Sequence, residues 1–370
     1  MKLTIGSTTL LSVALTARVA FSLSPGDLQV SVNAISPRVA SIEDIILTTI
    51  VSNPSDASIR VIRVGNVLDN GPTKSFAVSK DGASVDFTGV VISPDFARNP
   101  EANFVTIAPR ASIAINHTVS DIYDFSSHGT GTFMFVPWTT FQTAPGSPPL
   151  VVQVAPVSVE VTADVGFRAL APQSQSQDEP AHAAGSILSC DDPDKLAGIE
   201  QGLDSSRELA ARAAEYLRAN PDSAEWNNFF GDGIELEEIA GNYEAMAGDR
   251  KPMSGERFIY CNEDPFAICD RSTAYEFNGQ IYMCDHWFEY RPIGEVCSLH
   301  INNVVGSHES IILHELTHAM FGTIDHAYGC GAVQGLSAAE KKSNADNYEC
   351  LALAVYQIFE CQIGSEDGQA

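Results

Sequence analysis

Cysteine is absent from the first 189 residues of this 370-residue chain; all eight, from Cys190 to Cys361, lie beyond them. The first half must therefore hold together by a hydrophobic core without covalent staples. Basic residues are also scarce, with 21 Lys and Arg against 47 Asp and Glu and a net charge of -26. That balance excludes the strongly basic surface that nucleic acid or an anionic membrane would require, and it leaves basic peptides as favoured partners. Acidity that only serves solubility reads equally well. Past the N-terminus no stretch reaches the roughly 18 uninterrupted apolar residues that cross a bilayer. No CxxC pair occurs, which removes a cysteine-ligated zinc cluster, and no GxSxG elbow offers a serine nucleophile.

What is present begins with MKLTIGSTTLLSVALTARVAFS, residues 1 to 22. Lys2, the apolar run through Leu10, Leu11, Val13 and Leu15, and the small residues Ala20 and Ser22 form a secretory signal pattern. An even number of cysteines in an exported chain favours disulfides over thiols. The expectation is a secreted, extracellular protein that acts as a monomer.

The chain is long enough for two domains at about 150 residues each. Residues 23 to 165 read as short strands between turns: LQVSVNA, ASIAINHTVS and VAPVSVEV alternate, and NPSD, DNGP and APGSPP punctuate. An antiparallel, all-β sandwich is expected there. Asn116, in Asn116-His117-Thr118, is a glycosylation sequon. Residues 166 to 187 include ALAPQSQSQDEPAHAAGS, with the composition of an unpacked tether that a protease could cut.

Residues 188 to 370 change to helical periodicity, and an α+β, mainly helical domain with a small sheet is expected. DDPDKLAGIEQGLDSSRELAARAAEYLRANP predicts a helix that stops at Asn220-Pro221, and GIELEEIAGNYEAMAG predicts a second. TAYEF-NG-QIYMC predicts a hairpin turned at Asn278-Gly279. ESIILHELTHAMF and SAAEKKSNADNYECLALAVYQIF each predict one more helix.

HELTH, residues 314 to 318, carries the chemistry. On a helix, His314 and His318 share a face and can hold one metal ion, with Glu315 beside it to take a proton from an activated water. The bland reading is a core helix with a few polar residues. A catalytic zinc site needs a third protein ligand. The metzincin pattern would require Gly at 321 and His at 324, where this chain has Phe321 and Ile324. Glu340, Glu349 and Asp325 remain as donors.

HELTH followed by GTID and then HAYG resembles the deuterolysin family of zinc endopeptidases, the aspzincins. The resemblance implies a zincin-type fold and one Zn²⁺ per chain, held by His314, His318 and Asp325. It makes Glu315 the general base and Tyr328 a hydrogen-bond donor to the developing oxyanion. It also implies a zymogen: a signal, a cysteine-free pro-region over 23 to 165, activation cleavage within 166 to 187 and a catalytic domain over 188 to 370. No dibasic pair marks that cleavage, and Arg168 is a lone candidate.

NADNYE, residues 344 to 349, resembles the box by which the peptidyl-Lys branch binds a substrate lysine, which would make Asp346 and Glu349 substrate-binding residues. The competing reading is a solvated helix start capped by Asn344 or Asp346. The family layout implies the pairs Cys190 with Cys261, Cys269 with Cys284, Cys297 with Cys361 and Cys330 with Cys350. His326 is expected on the surface or behind the metal shell, and Thr317 and Thr323 are expected to steady that shell. The rival to a peptidase of protein or peptide substrates is a secreted adhesion or binding protein, in which a β-sandwich accompanies a structural metal site.

Overall fold

The structure is a computed structural model that describes residues 23–170, 185–248, 257–261 and 263–361. The signal-like segment 1–22 and most of the expected tether lie outside the described residues.

The first half packs two sheets around one core. Gln29–Ala34, Ile46–Ser52 and Ser112–Thr118 form an antiparallel three-stranded sheet. The facing sheet has five strands, ordered Arg38–Ser41, Val157–Asp164, Gly131–Pro137, Phe76–Lys80 and Ala83–Ser84. In Gly131–Pro137 every second residue is buried, so Phe133 and Phe135 point inward while Met134 and Val136 stay exposed. Phe133 pairs with Val159 and Phe135 with Val78, which sets core residue against core residue across the sheet. The expectation of a wholly antiparallel sandwich needs one correction, since Val157–Asp164 runs parallel to Arg38–Ser41. Asn116 is exposed on Ser112–Thr118, where its side-chain oxygen accepts from Thr48 at 2.8 Å.

The second half is built on the helix Pro193–Ala219. Asp192 caps it through the N–H groups of Asp194 and Lys195, Pro193 occupies its first turn, and it stops at Asn220 ahead of Pro221. Gly202 lets this helix approach His308–Phe321 closely, because a Cβ there would stand 2.9 Å from Ile312 Cδ1 and 3.0 Å from Trp287. The segment expected as one last helix is broken: Ala338–Lys342 and Ala345–Glu360 are separate, with Ser343 and Asn344 between them. Asn344 leaves the helical path to pair with Ile324, and that pairing ties the break to the GTID turn. Disulfides join Cys190 to Cys261, Cys269 to Cys284, Cys297 to Cys361 and Cys330 to Cys350. Among the described residues no helix is long and apolar enough to cross a membrane.

One sheet draws on both halves. Its five strands run Ile187–Ser189, Phe258–Tyr260, Gln280–Met283, Ser272–Phe277 and then Val91–Pro94, a strand from the N-terminal half. Ser272–Phe277 and Gln280–Met283 are the expected hairpin, turned at Asn278 and Gly279, both with positive φ. A small apolar cluster bridges the halves in the same place, with Val64, Val90, Ile92 and Phe104 against Tyr275, Tyr282 and Tyr328.

Candidate metal centre

The helix His308–Phe321 has a Ser307/Ser310 capping box at its start, and Gly322 ends it in the left-handed region at φ 64°. Every residue from Ser310 to His318 is buried, so the two histidines face into the protein. The left-handed turn at Gly322 sends Thr323, Ile324 and Asp325 back along the helix end. His314 Nε2 and His318 Nε2 are 3.0 Å apart, and Asp325 Oδ1 lies 3.3 Å from the first and 3.6 Å from the second. Three donor atoms at that mutual spacing suit one ion bound at about 2.0–2.2 Å from each.

Hydrogen bonds behind the rings explain their orientation. His318 Nδ1 is 2.9 Å from the carbonyl of Thr323, which can only accept. His314 Nδ1 is 2.9 Å from Asp346 Oδ1 and 3.4 Å from Glu349 Oε2. Each Nδ1 therefore carries the ring proton, and each Nε2 offers a lone pair. Two lone pairs facing one another at 3.0 Å require a cation or a shared proton between them. Asp325 sharpens the point, for both of its buried carboxylate oxygens lack any hydrogen-bond partner.

A second acidic group, His314 Nδ1 with Asp346 and Glu349, is also compact enough for an ion. Its acceptors are already engaged: Asp346 Oδ2 accepts from the N–H of Gly329 at 2.6 Å, and Glu349 Oε1 from Ser310 Oγ at 2.6 Å. The unsatisfied carboxylate favours the His314, His318 and Asp325 set as the candidate metal centre. Burial works against a charge on His314, but Asp325, Asp346 and Glu349 outweigh it and raise the ring's pKa well above the ordinary imidazole value. Burial brings His318 down to about 4, against a smaller opposing pull from Asp325.

Glu315 lies fully buried beside the pair. One of its oxygens accepts from Ser93 Oγ at 2.6 Å, and the other has no partner. Burial pushes its carboxyl up to about 8, opposed by the neighbouring His314 and the Ser93 bond. Tyr328 is buried with its ring edge-on to Phe96 at 5.4 Å. Its main chain is clasped from the N-terminal half, with Gln142 bonded to both its N–H and its carbonyl and Gly146 N–H donating to the same carbonyl at 2.7 Å.

Asp346 and Glu349 share a face near the start of Ala345–Glu360, both buried and both turned to His314. Asn344 holds the N-cap position without a side-chain cap bond. His326 stays out of the ligand set: it stacks on Trp138 at 4.8 Å and bonds Ser343. Thr317 Oγ1 bonds the His314 carbonyl and the Thr323 hydroxyl, which links the helix to the turn. Glu340 is used locally, as the partner of Ser337 in the capping box of Ala338–Lys342.

Three contacts around the site had no sequence signal. Asn344 receives the N–H of His326 at 2.7 Å, Gln142 brackets Tyr328, and Ser93 reaches Glu315 across 222 positions. Local spacing carries no trace of contacts between segments so far apart.

Comparison with known proteins agrees with this chemistry. The profile of the deuterolysin metalloprotease (M35) family matches residues 1–359. Among curated proteins, neutral protease 2 homolog MEP3 of Coccidioides posadasii is 28% identical over 361 residues, covering 94% of this chain and 98% of that protein. MEP5 of the same organism is 24% identical over 370 residues with the same coverage. Neutral protease 2 homolog mep20 of Aspergillus fumigatus is 26% identical over 318 residues, 82% of each chain.

Proposed function

The chain belongs to the deuterolysin metalloprotease family and is a metalloendopeptidase; from that premise we propose that it is a secreted, zinc-dependent enzyme made as a zymogen, hydrolysing internal peptide bonds of protein or peptide substrates. Family membership sets aside the adhesion-protein alternative. The observation that carries the zinc reading is the pair of unpartnered Asp325 oxygens beside two inward-facing Nε2 atoms.

His314, His318 and Asp325 would hold one Zn²⁺. When bound, the ion supplies a Lewis acid that acidifies water and polarises the scissile carbonyl. Glu315 takes the proton of the attacking water on a carboxylate oxygen and delivers it to the leaving amine. Burial raises the pKa of that carboxyl, which favours holding the proton between the two steps. The Tyr328 hydroxyl donates to the oxygen on which negative charge develops. Asp346, through the Nδ1 proton of His314, keeps that ring's lone pair aimed at the ion.

The segments follow the same reading: signal 1–22, pro-region 23–165, cleavage within 166–187, catalytic part 188–370, and release as a monomer. A preference for lysine or other basic residues belongs to it as well. It is supported by the acidic net charge and by Asp346 and Glu349, which line a cavity with Tyr290 and Ile311. The experiment is a peptide library digested by the matured protein with and without a chelator, with products read by mass spectrometry. Internal cleavage that a chelator abolishes and zinc restores is the expected outcome; chelator-insensitive cleavage would end the zinc reading.

A further inference from the structure

The zymogen reading leaves open what keeps the site closed, and the shared sheet suggests an answer. His314, Glu315 and His318 are 2%, 0% and 3% exposed, so no peptide reaches them in the described arrangement. The cover over them comes from the N-terminal half. Val91–Pro94 lies antiparallel on the outer edge of Ser272–Phe277, with Ile92 opposite Tyr275 and Ser93 opposite Ala274. Its register slips between Ser272 and Ala274, at the point where Ser93 meets the catalytic helix. There the Ser93 carbonyl accepts from Ser272 Oγ at 2.8 Å and Thr273 Oγ1 at 3.2 Å, while the Ser93 hydroxyl donates to Glu315. Pro94 and Phe96 then close the cavity that Asp346 and Glu349 line. Gly65 adds to the cover from another loop, for a Cβ there would lie 3.2 Å from the Tyr328 hydroxyl.

We propose that Val91–Pro94 is a substrate-like latch, resting on the peptidase reading above. It occupies the extended path of a bound polypeptide along Ser272–Phe277, and Ser93 Oγ donates to Glu315 Oε1, one of the two oxygens with which that carboxylate would serve the attacking water. Two features separate it from a substrate. The Ser93 carbonyl is held by the hydroxyls of Ser272 and Thr273, so it is not presented for attack. Pro94 also has no N–H to extend the ladder. The latch is anchored by charge as well as by strand pairing: Arg271 Nη1 is 2.9 Å from the fully buried Asp69, and the N–H of Asp95 donates to the Arg271 carbonyl at 2.9 Å. Once residues 23–170 leave, Ser272–Phe277 becomes an open edge, and an open edge accepts an extended chain by main-chain hydrogen bonding.

The test uses the full chain with a specific protease site placed between residues 171 and 184. Amide hydrogen exchange at 272–277 is followed in the uncut chain and in the cut chain across a dilution series. Slow exchange before cutting is expected, with at least tenfold faster exchange after cutting and dilution, in step with the appearance of peptide hydrolysis. The end-blocked peptide Val-Ile-Ser-Pro-Asp-Phe, copying residues 91–96, should slow that exchange again and inhibit competitively. Ser93→Asp, which sets a second carboxylate against Glu315, should shift release of the cut halves to at least tenfold higher protein concentration. An uncut chain that already hydrolyses peptides at the full rate overturns the latch, as does a cut chain whose edge stays protected at every dilution or a Ser93→Asp chain that releases like the parent. An edge that opens and is re-protected by the peptide, with no hydrolysis in the presence of zinc, instead leaves the latch standing and sinks the peptidase reading.

Discussion

Asp346 stands 2.9 Å behind His314, its Oδ1 on the ring's Nδ1, while its other oxygen holds the N–H of Gly329 at the end of the HAYG turn. One carboxylate thus sets the tautomer of a proposed metal ligand and fixes the loop that carries Tyr328. Asp346→Asn is expected to weaken zinc binding about 10- to 100-fold, measured by competition with a chromogenic chelator. Unchanged zinc affinity would mean that the contact does not tune the site.

Glu349 allows the basic preference to be tested separately. Its Oε2 lies 3.4 Å from His314 Nδ1, longer than the Asp346 contact, so its loss should disturb the metal less. In a peptide library the Glu349→Gln chain should keep cleaving but lose discrimination for lysine by roughly tenfold, the scale of one 1.4 kcal/mol interaction. An unaltered cleavage map would remove Glu349 from substrate recognition.

Replacing Asp325 by Ala should abolish stoichiometric zinc in the purified protein, as metal analysis would show, because two imidazoles alone leave the ion without its only anionic ligand. Glu315→Gln should behave differently, keeping zinc while kcat falls by about 10²–10⁴-fold. Full casein hydrolysis by the Gln variant would remove Glu315 from the proton path.

Tyr328→Phe keeps the ring that packs on Phe96 and loses only the hydroxyl. Loss of one oxyanion donor is expected to lower kcat by about 10²–10³-fold with little change in KM. A KM effect alone would assign the hydroxyl to ground-state binding.

Glu276, outside the proposed ligand set, gives a pH-dependent signature of its own. Burial raises its carboxyl to about 7, opposed only by the Gly279 N–H bond, from 4.5 in an unperturbed chain. Between those values the unfolded chain gives up a proton that the native chain keeps, so this group's contribution to stability declines as pH rises from about 4.5 to 7 and then levels off. Glu276→Gln should be increasingly more stable than the parent across that window, by up to about 3 kcal/mol at its upper end, read from urea midpoints at several pH values. A difference that does not vary with pH would show that Glu276 is ionised in the native state.

Much of the site was legible because it is local. His314, Glu315 and His318 lie within about one helical turn, and Gly322 ends that helix in the left-handed region, so period and turn chemistry place them without the rest of the fold. The Asn278-Gly279 hairpin and the Asn220-Pro221 stop were legible for the same reason. The break at Asn344 was legible only as the competing reading of a helix start there, and the pairing with Ile324 and the bond to His326 that draw the backbone out of a helix had no local signal.

By itself the sequence determined what repeats over a few residues: the alternating strands of the first half, the amphipathic helices of the second, and a turn of helix able to hold an ion. Asp325 as the third ligand was an expectation from resemblance, and its unsatisfied oxygens became visible only with the fold. The tertiary structure alone decided that Val91–Pro94 crosses to the sheet beside the metal helix and that Ser93 meets Glu315. Pairing between distant strands depends on edges and shapes that exist only after each half has folded, and no periodicity in either strand encodes its partner.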